Sequence, residues 1–131
     1  MKDQFLSKLL HSEIQSHIFH LQIQNYAAHM AIGGFYEGIS DLNDTLIEQC
    51  QGTHDVIYTN YQLEPIINLS ENTKITASNI QVVIIYLEEL MMFLKENKMN
   101  VFSEEDSHLL NVLDEIVSLI AMTLYKLKKL K

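Results

Sequence analysis

An all-α fold, four amphipathic helices in two antiparallel pairs joined by one long crossover, is what this sequence predicts. Three observations predict it. Apolar residues recur at steps of three and four through four separate stretches, the spacing of one helix face. Capping residues stand at the starts of the second, third and fourth stretches. The links between stretches run short, long, short, which sets how the helices pair.

The first helix is expected over Asp3–Ile23, where Phe5, Leu6, Leu9, Leu10, Ile14, Ile18 and Leu21 keep the period. Asn25 is an N-cap for a second helix over Tyr26–Gln51, with Ala27, Met30, Ile32, Phe35, Ile39, Leu42, Leu46 and Ile47 as its apolar set and Gly52 as its stop. This helix carries Gly33, Gly34 and Gly38, each costing roughly 1 kcal/mol relative to Ala in a helix interior. Close helix approach or space for a guest is the expected reason. From Gly52 to Ile75 lies a long connection with the only proline, Pro65, the Tyr58/Tyr61 pair, the polar run Ser70–Lys74 and room for one short helical turn. The third helix is expected over Thr76–Lys98, with Ser78 and Gln81 in capping-box spacing. Ser103 before Glu104, Glu105 and Asp106 then caps a fourth helix that runs to the end through Leu109, Leu113, Ile116, Ile120 and Leu124, with acids at its positive dipole end.

Composition bounds the function. A chain of 131 residues with 47% apolar content fits one domain, 1–131. Its net charge of -8 and its complete lack of Arg argue against nucleic-acid binding, since the fork that clamps phosphate and reads guanine is missing. One cysteine, Cys50, forms no internal disulfide. The longest apolar run falls far below a membrane span and no signal-peptide layout opens the chain. The expectation is a soluble cytoplasmic protein.

The link lengths add a topology. Two dozen extended residues reach well past the roughly 30 Å length of a 20-residue helix, so the long link can cross a whole bundle. Two tight hairpins with one crossover form the ferritin-like connectivity.

Histidines and carboxylates then collect on the first two helices. His17 and His29 lie twelve apart, and Asp44 and Glu48 follow His29 by fifteen and nineteen. His29, Glu37, Asp44 and Glu48 share a broad stripe of the second helix, with Gly33 as a gap in it. Imidazole with carboxylate is a ligand set for iron, manganese or zinc. A solvated acidic face is the plain alternative.

The run from Asn25 to Glu48, NYAAHMAIGGFYEGISDLNDTLIE, resembles the second-helix signature of Dps-type mini-ferritins. Tyr26 precedes His29 by three residues, Gly34-Phe35 follows, and Asp44 and Glu48 close the pattern as D-x-x-x-E. His17 falls where that family has its first ligand. The resemblance implies that His17 and His29 of one subunit face Asp44 and Glu48 of a two-fold-related subunit. Such a site binds iron and oxidises Fe2+ to Fe3+ with peroxide, a ferroxidase activity that protects against both. It also implies a homo-oligomer, a dimer through the first and second helices built up to a dodecameric shell. The family's carboxylate one turn after the second His is replaced by Gly33, and the residues after His17 are Ile18 and Phe19. Glu37, one turn beyond Gly33, is a substitute ligand. If none substitutes, the chain is a ferritin-like structural or interaction protein with a degenerate site.

The remaining polar residues have simpler expectations. His20 is expected to be partly buried and hydrogen-bonded, His54 to lie in the loop, and His11 and Glu13 to lie on the surface. Glu105 and His108 form an E-x-x-H that capping explains, and Met91 and Met92 are expected in the core or a subunit contact. Lys126, Lys128, Lys129 and Lys131 suit the negative end of the last helix, and DNA binding by them is not expected at this net charge. An Ile-, Asn- and Lys-rich composition suggests an AT-rich genome, and the segments HLQ and HMAIGGFYE are similar to uncharacterised phage-encoded ferritin-like proteins, which places the chain in a host cytoplasm.

Overall fold

The computed structural model describes residues 2–71 and 76–130. Asn72 to Ile75, part of the expected long connection, and Lys131 lie outside the described residues. Four long helices form: α1 (Lys2–Gln22), α2 (Tyr26–His54), α3 (Thr76–Val101) and α4 (Ser107–Lys129), with a 3₁₀ turn at Glu104–Asp106 and no strand among the described residues.

Each boundary has a local cause. Asn25 has extended backbone and its Oδ1 accepts the Ala28 N–H at 2.9 Å, satisfying a free donor of the first turn of α2. Gly52 does not stop α2. The helix runs on to His54 and ends where Asp55 turns left-handed (φ 53°), so that the Val56 N–H bonds back to the Gln51 carbonyl at 3.2 Å. His54 therefore sits in the last turn of α2, not in the loop. The expected cap at Ser78 lies inside α3, which already starts at Thr76, and α3 continues past Lys98 to Val101. At Ser103 the capping box forms with Asp106, whose Oδ2 accepts the Ser103 N–H at 3.0 Å.

Pairs of contacting residues fix the directions. Leu9 with Asn43 and His20 with His29 run α1 against α2. Gly38 near Leu119 and Thr53 with His108 run α2 against α4, while Phe5 with Phe93 and Phe19 with Tyr86 run α1 against α3. The α3–α4 link is short and those helices also pack together. Every neighbour in the order α1, α2, α4, α3 is thus antiparallel, and α2 and α3 are parallel across the diagonal. Only a connection as long as a helix can join parallel elements this way.

That connection is a strap along α1. The Gln62 N–H donates to Ser7 Oγ, Gln15 exchanges two bonds with Ile67, and Gln22 accepts from the Leu69 N–H while donating to Asn68. Register rises together on both segments, so the strap runs parallel to α1 from the foot of α2 toward the head of α3. Its described residues form no helical turn beyond Asp55.

One core fills the centre. Phe5, Leu9 and Phe19 of α1, Ile32, Phe35, Ile39 and Leu46 of α2, Val83, Leu87, Leu90 and Leu94 of α3, and Leu109, Leu113, Ile116 and Ile120 of α4 are buried in it. Met91 packs against this core as expected, whereas Met92 is exposed. Two helical stretches, Ala77–Val101 and Glu104–Lys129, reach mean hydropathies of 1.4 and 1.3 over a span-length window, more apolar than the short runs in the sequence suggest. Core helices of a bundle share that property of length and composition.

Candidate functional site

The tightest grouping of histidines lies at the α1–α2 turn. His20 in the last turn of α1 and His29 in the first turn of α2 stack with ring centroids 3.8 Å apart and planes 18° apart. His20 Nδ1 is 2.8 Å from the His29 carbonyl and His29 Nδ1 is 2.8 Å from the His20 carbonyl. A carbonyl only accepts, so both Nδ1 atoms carry the proton, and in the neutral rings Nε2 holds the lone pair. The His20 carbonyl belongs to the C-terminal turn of α1, where intrahelical donors run out, so His29 caps one helix from the next. His20 is thus half-buried and backbone-bonded, as expected.

Gly33 is explained by this pair. A Cβ there would stand 2.8 Å from His20 Cε1 and 3.0 Å from His20 Nδ1, so the imidazole lies directly on the bare α2 backbone. The place that a side chain would take at position 33 is filled by a ring from α1. Gly38 has the other reason anticipated for these glycines: a Cβ would meet Leu119 at 2.9 Å, which lets α4 approach α2. Gly34 has nothing within 4 Å, and no contact explains it.

His17 lies one turn before His20 and stacks on Tyr36 with centroids 4.3 Å apart and planes 13° apart. Its ring is 6.5 Å from that of His20, so Tyr36, His17, His20 and His29 follow one another along the seam between the two helices. His17 is half-buried, and among the described residues neither of its ring nitrogens makes a hydrogen bond. Glu37, Asp44 and Glu48 are exposed on α2 and, among the described residues, enter no ion pair. His29 instead turns toward α1. The stripe expected along α2 is therefore divided, with His29 in the seam and the three carboxylates on the outer face.

Within one chain no three His, Cys, Asp or Glu side chains among the described residues come together as a metal-holding group. The five candidates are brought to one hairpin, not to one point. The same hairpin also carries exposed apolar side chains, Ile14 and Leu21 on α1 and Tyr26 and Met30 on α2, each between 43% and 77% exposed.

A second polar group lies at the opposite end. His54 Nε2 is 3.3 Å from Asp106 Oδ1, His54 Nδ1 is 3.3 Å from Lys2 Nζ, and Thr53 Oγ1 is 2.8 Å from His108 Nε2. The backbone N–H of Ser103, aided by His54, holds the Asp106 carboxyl below its ordinary range against the opposing effect of burial. Asp106, not Glu105, completes the cap, and His108 of the E-x-x-H reaches α2 instead of a metal partner. Cys50 is buried nearby, and burial pushes its thiol up to about 11, which leaves it unreactive at neutral pH.

A family model described as a family of unknown function (DUF5856) matches residues 20–127. The chain belongs to this family. The DUF5856 span begins at His20, takes in His29, Gly33, Glu37, Asp44 and Glu48, and leaves His17 upstream. Neither a curated protein nor a solved structure matches the chain.

Proposed function

We propose that this DUF5856 chain is a ferritin-like, Dps-like protein that assembles with copies of itself through the α1–α2 face and binds iron at a site completed between two copies. His17 and His29 come from one copy and Asp44 and Glu48 from the other, with Glu37 as a further oxygen ligand. The observation that carries the reading is the unspent state of these groups in the single chain. Among the described residues the ring nitrogens of His17, in a half-buried seam, make no hydrogen bond, and the three exposed carboxylates of α2 enter no ion pair. His29 is oriented as metal-binding histidines are, Nδ1 fixed by a carbonyl and Nε2 left as donor of the lone pair. The ferritin-like assignment is supported by the single long crossover joining two parallel helices. The exposed apolar side chains Ile14, Leu21, Tyr26 and Met30 of the hairpin supply area for a second copy.

Iron bound by mixed nitrogen and oxygen ligands is open to oxidation by peroxide, because carboxylates favour the ferric state. The residues would hold the ion and keep neighbouring positions free for the oxidant.

A second reading has its own observation. The His20–His29 stack already gives both rings a structural task, and with a Gly at position 33 the hairpin can serve only as an assembly element. Anaerobic Fe(II) addition followed by peroxide, with ferric absorbance compared between the wild type and a His17→Ala/Asp44→Asn double variant, separates the two. A ferric signal lost in the double variant is the expected result, and equal traces leave the assembly reading. Light scattering on both proteins reports whether the oligomer survives the substitutions.

A further inference from the structure

A different histidine is buried on the opposite flank of α1. His11, expected on the surface, is 2% exposed; strap bonds to Ser7 and Gln15 flank it and Tyr86 of α3 meets its ring. Its ring meets Tyr86 of α3 edge-on at 6.3 Å. Among the described residues its buried Nδ1 has no hydrogen-bond partner, and neither has the buried hydroxyl of Tyr86. Two buried polar atoms from different helices thus lack partners within one ring contact, a costly arrangement that access to water would relieve.

Charged and titratable groups face His11 from three elements. Lys8 is on its own helix, Glu64 on the strap and Tyr86 on α3, and Lys8 and Glu64 pair with each other at 2.7 Å. With Glu64 engaged by Lys8, the imidazolium has no dedicated counter-ion.

We propose that the strap segment from Gln62 to Ile67 is an acid-sensitive latch whose trigger is His11: proton uptake by the buried ring frees this segment from α1 and uncovers the α1–α3 seam. Burial lowers the His11 pKa from its ordinary 6.5, Glu64 opposing and Lys8 reinforcing the shift. The closed form therefore binds fewer protons than the open form. Closure is at full strength above 6.5 and weakens as pH falls below it, until the closed-state value is passed. The segment is held otherwise by few bonds, Ser7 Oγ to the Gln62 N–H, the Lys8–Glu64 pair and the two Gln15–Ile67 bonds, so one buried cation is a large perturbation on it. Opening exposes His11 and the Tyr86 ring that it meets, which gives the seam an apolar surface at low pH only.

Amide hydrogen exchange on the full chain tests this, with rates corrected for the intrinsic effect of pH. Protection at the Gln62 and Ile67 amides should fall on acidification by about tenfold for each unit that separates the open and closed pKa values, while core amides such as Leu46 keep theirs. His11→Phe, or His11→Gln if the Phe variant does not fold, should flatten the response. An equal loss in wild type and variant overturns the proposal, and so does loss at Leu46 together with the strap, which is global acid unfolding. Nuclear magnetic resonance of the His11 ring in the wild type gives a check free of variants: its titration midpoint must lie below 6.5 and coincide with loss of strap protection.

Discussion

His20 and His29 bond to each other's backbone carbonyls at 2.8 Å while their rings stack at 3.8 Å, so that each imidazole fixes the helix end that carries the other. The stack needs a bare backbone at Gly33. Gly33→Ala is therefore expected to destabilise the fold by about 1–2 kcal/mol, the cost of displacing a pinned ring exceeding the roughly 1 kcal/mol gained in helix propensity. Gly34→Ala, where nothing stands within 4 Å, should stabilise by about 0.5–1 kcal/mol. Urea titration of both variants checks the pair, and equal shifts would remove the steric account of Gly33.

Asn25→Ala removes the side-chain acceptor of the Ala28 N–H and should cost about 1 kcal/mol. Asn25→Asp should retain most of that stability, because a carboxylate accepts the same bond and suits the positive end of α2. Thermal melts of the two variants at neutral pH measure the difference.

Asp106 predicts a pH dependence of opposite location to that of His11. Its folded pKa lies below the ordinary 3.8, so its ionised form contributes stability that is fully present above that value and is lost as pH falls through the folded one. Asp106→Asn should be less stable than wild type at pH 7, with the gap closing as the pH falls below 3.8. A gap that stays constant down the titration would contradict the assignment of the low pKa to this residue.

Tyr86→Phe deletes a buried hydroxyl that has no partner among the described residues. The change should raise stability by about 1 kcal/mol, since it removes an unsatisfied group and leaves the ring packing on Phe19 intact. Denaturant midpoints decide it: a loss above about 1 kcal/mol would mean that the hydroxyl is bonded in solution.

What could be read from the sequence was local. The period of the apolar residues placed all four helices, and Asn25 marked the start of α2 because an N-cap acts within three residues of itself. Gly52 does not end α2, since the contacts of Thr53 and His54 with α4 and its cap hold the helix past it and the short polar Asp55 takes the left-handed position instead. His11 read as a surface residue because its cover arrives from more than fifty residues away. The steric reason for Gly33 was not legible, because its neighbour is a ring on another helix. The candidate metal residues were legible as offsets along α1 and α2, but not the division between seam and outer face, which depends on how the two helices roll against each other.

The strap bonds carry a further consequence, for the order in which the chain folds. Gln62 to Ser7, Ile67 to Gln15 and Leu69 to Gln22 span 55, 52 and 47 residues, whereas His20 and His29 are only 9 apart. Closing a short loop sacrifices less chain entropy than closing a long one, so the histidine-stapled hairpin can nucleate by itself while the strap waits for it. Only a finished α1, held straight against α2, offers Ser7, Gln15 and Gln22 in the line along which the strap is laid. The crossover is thus a late clasp, and the histidine pair at the first turn is the early knot on which it depends.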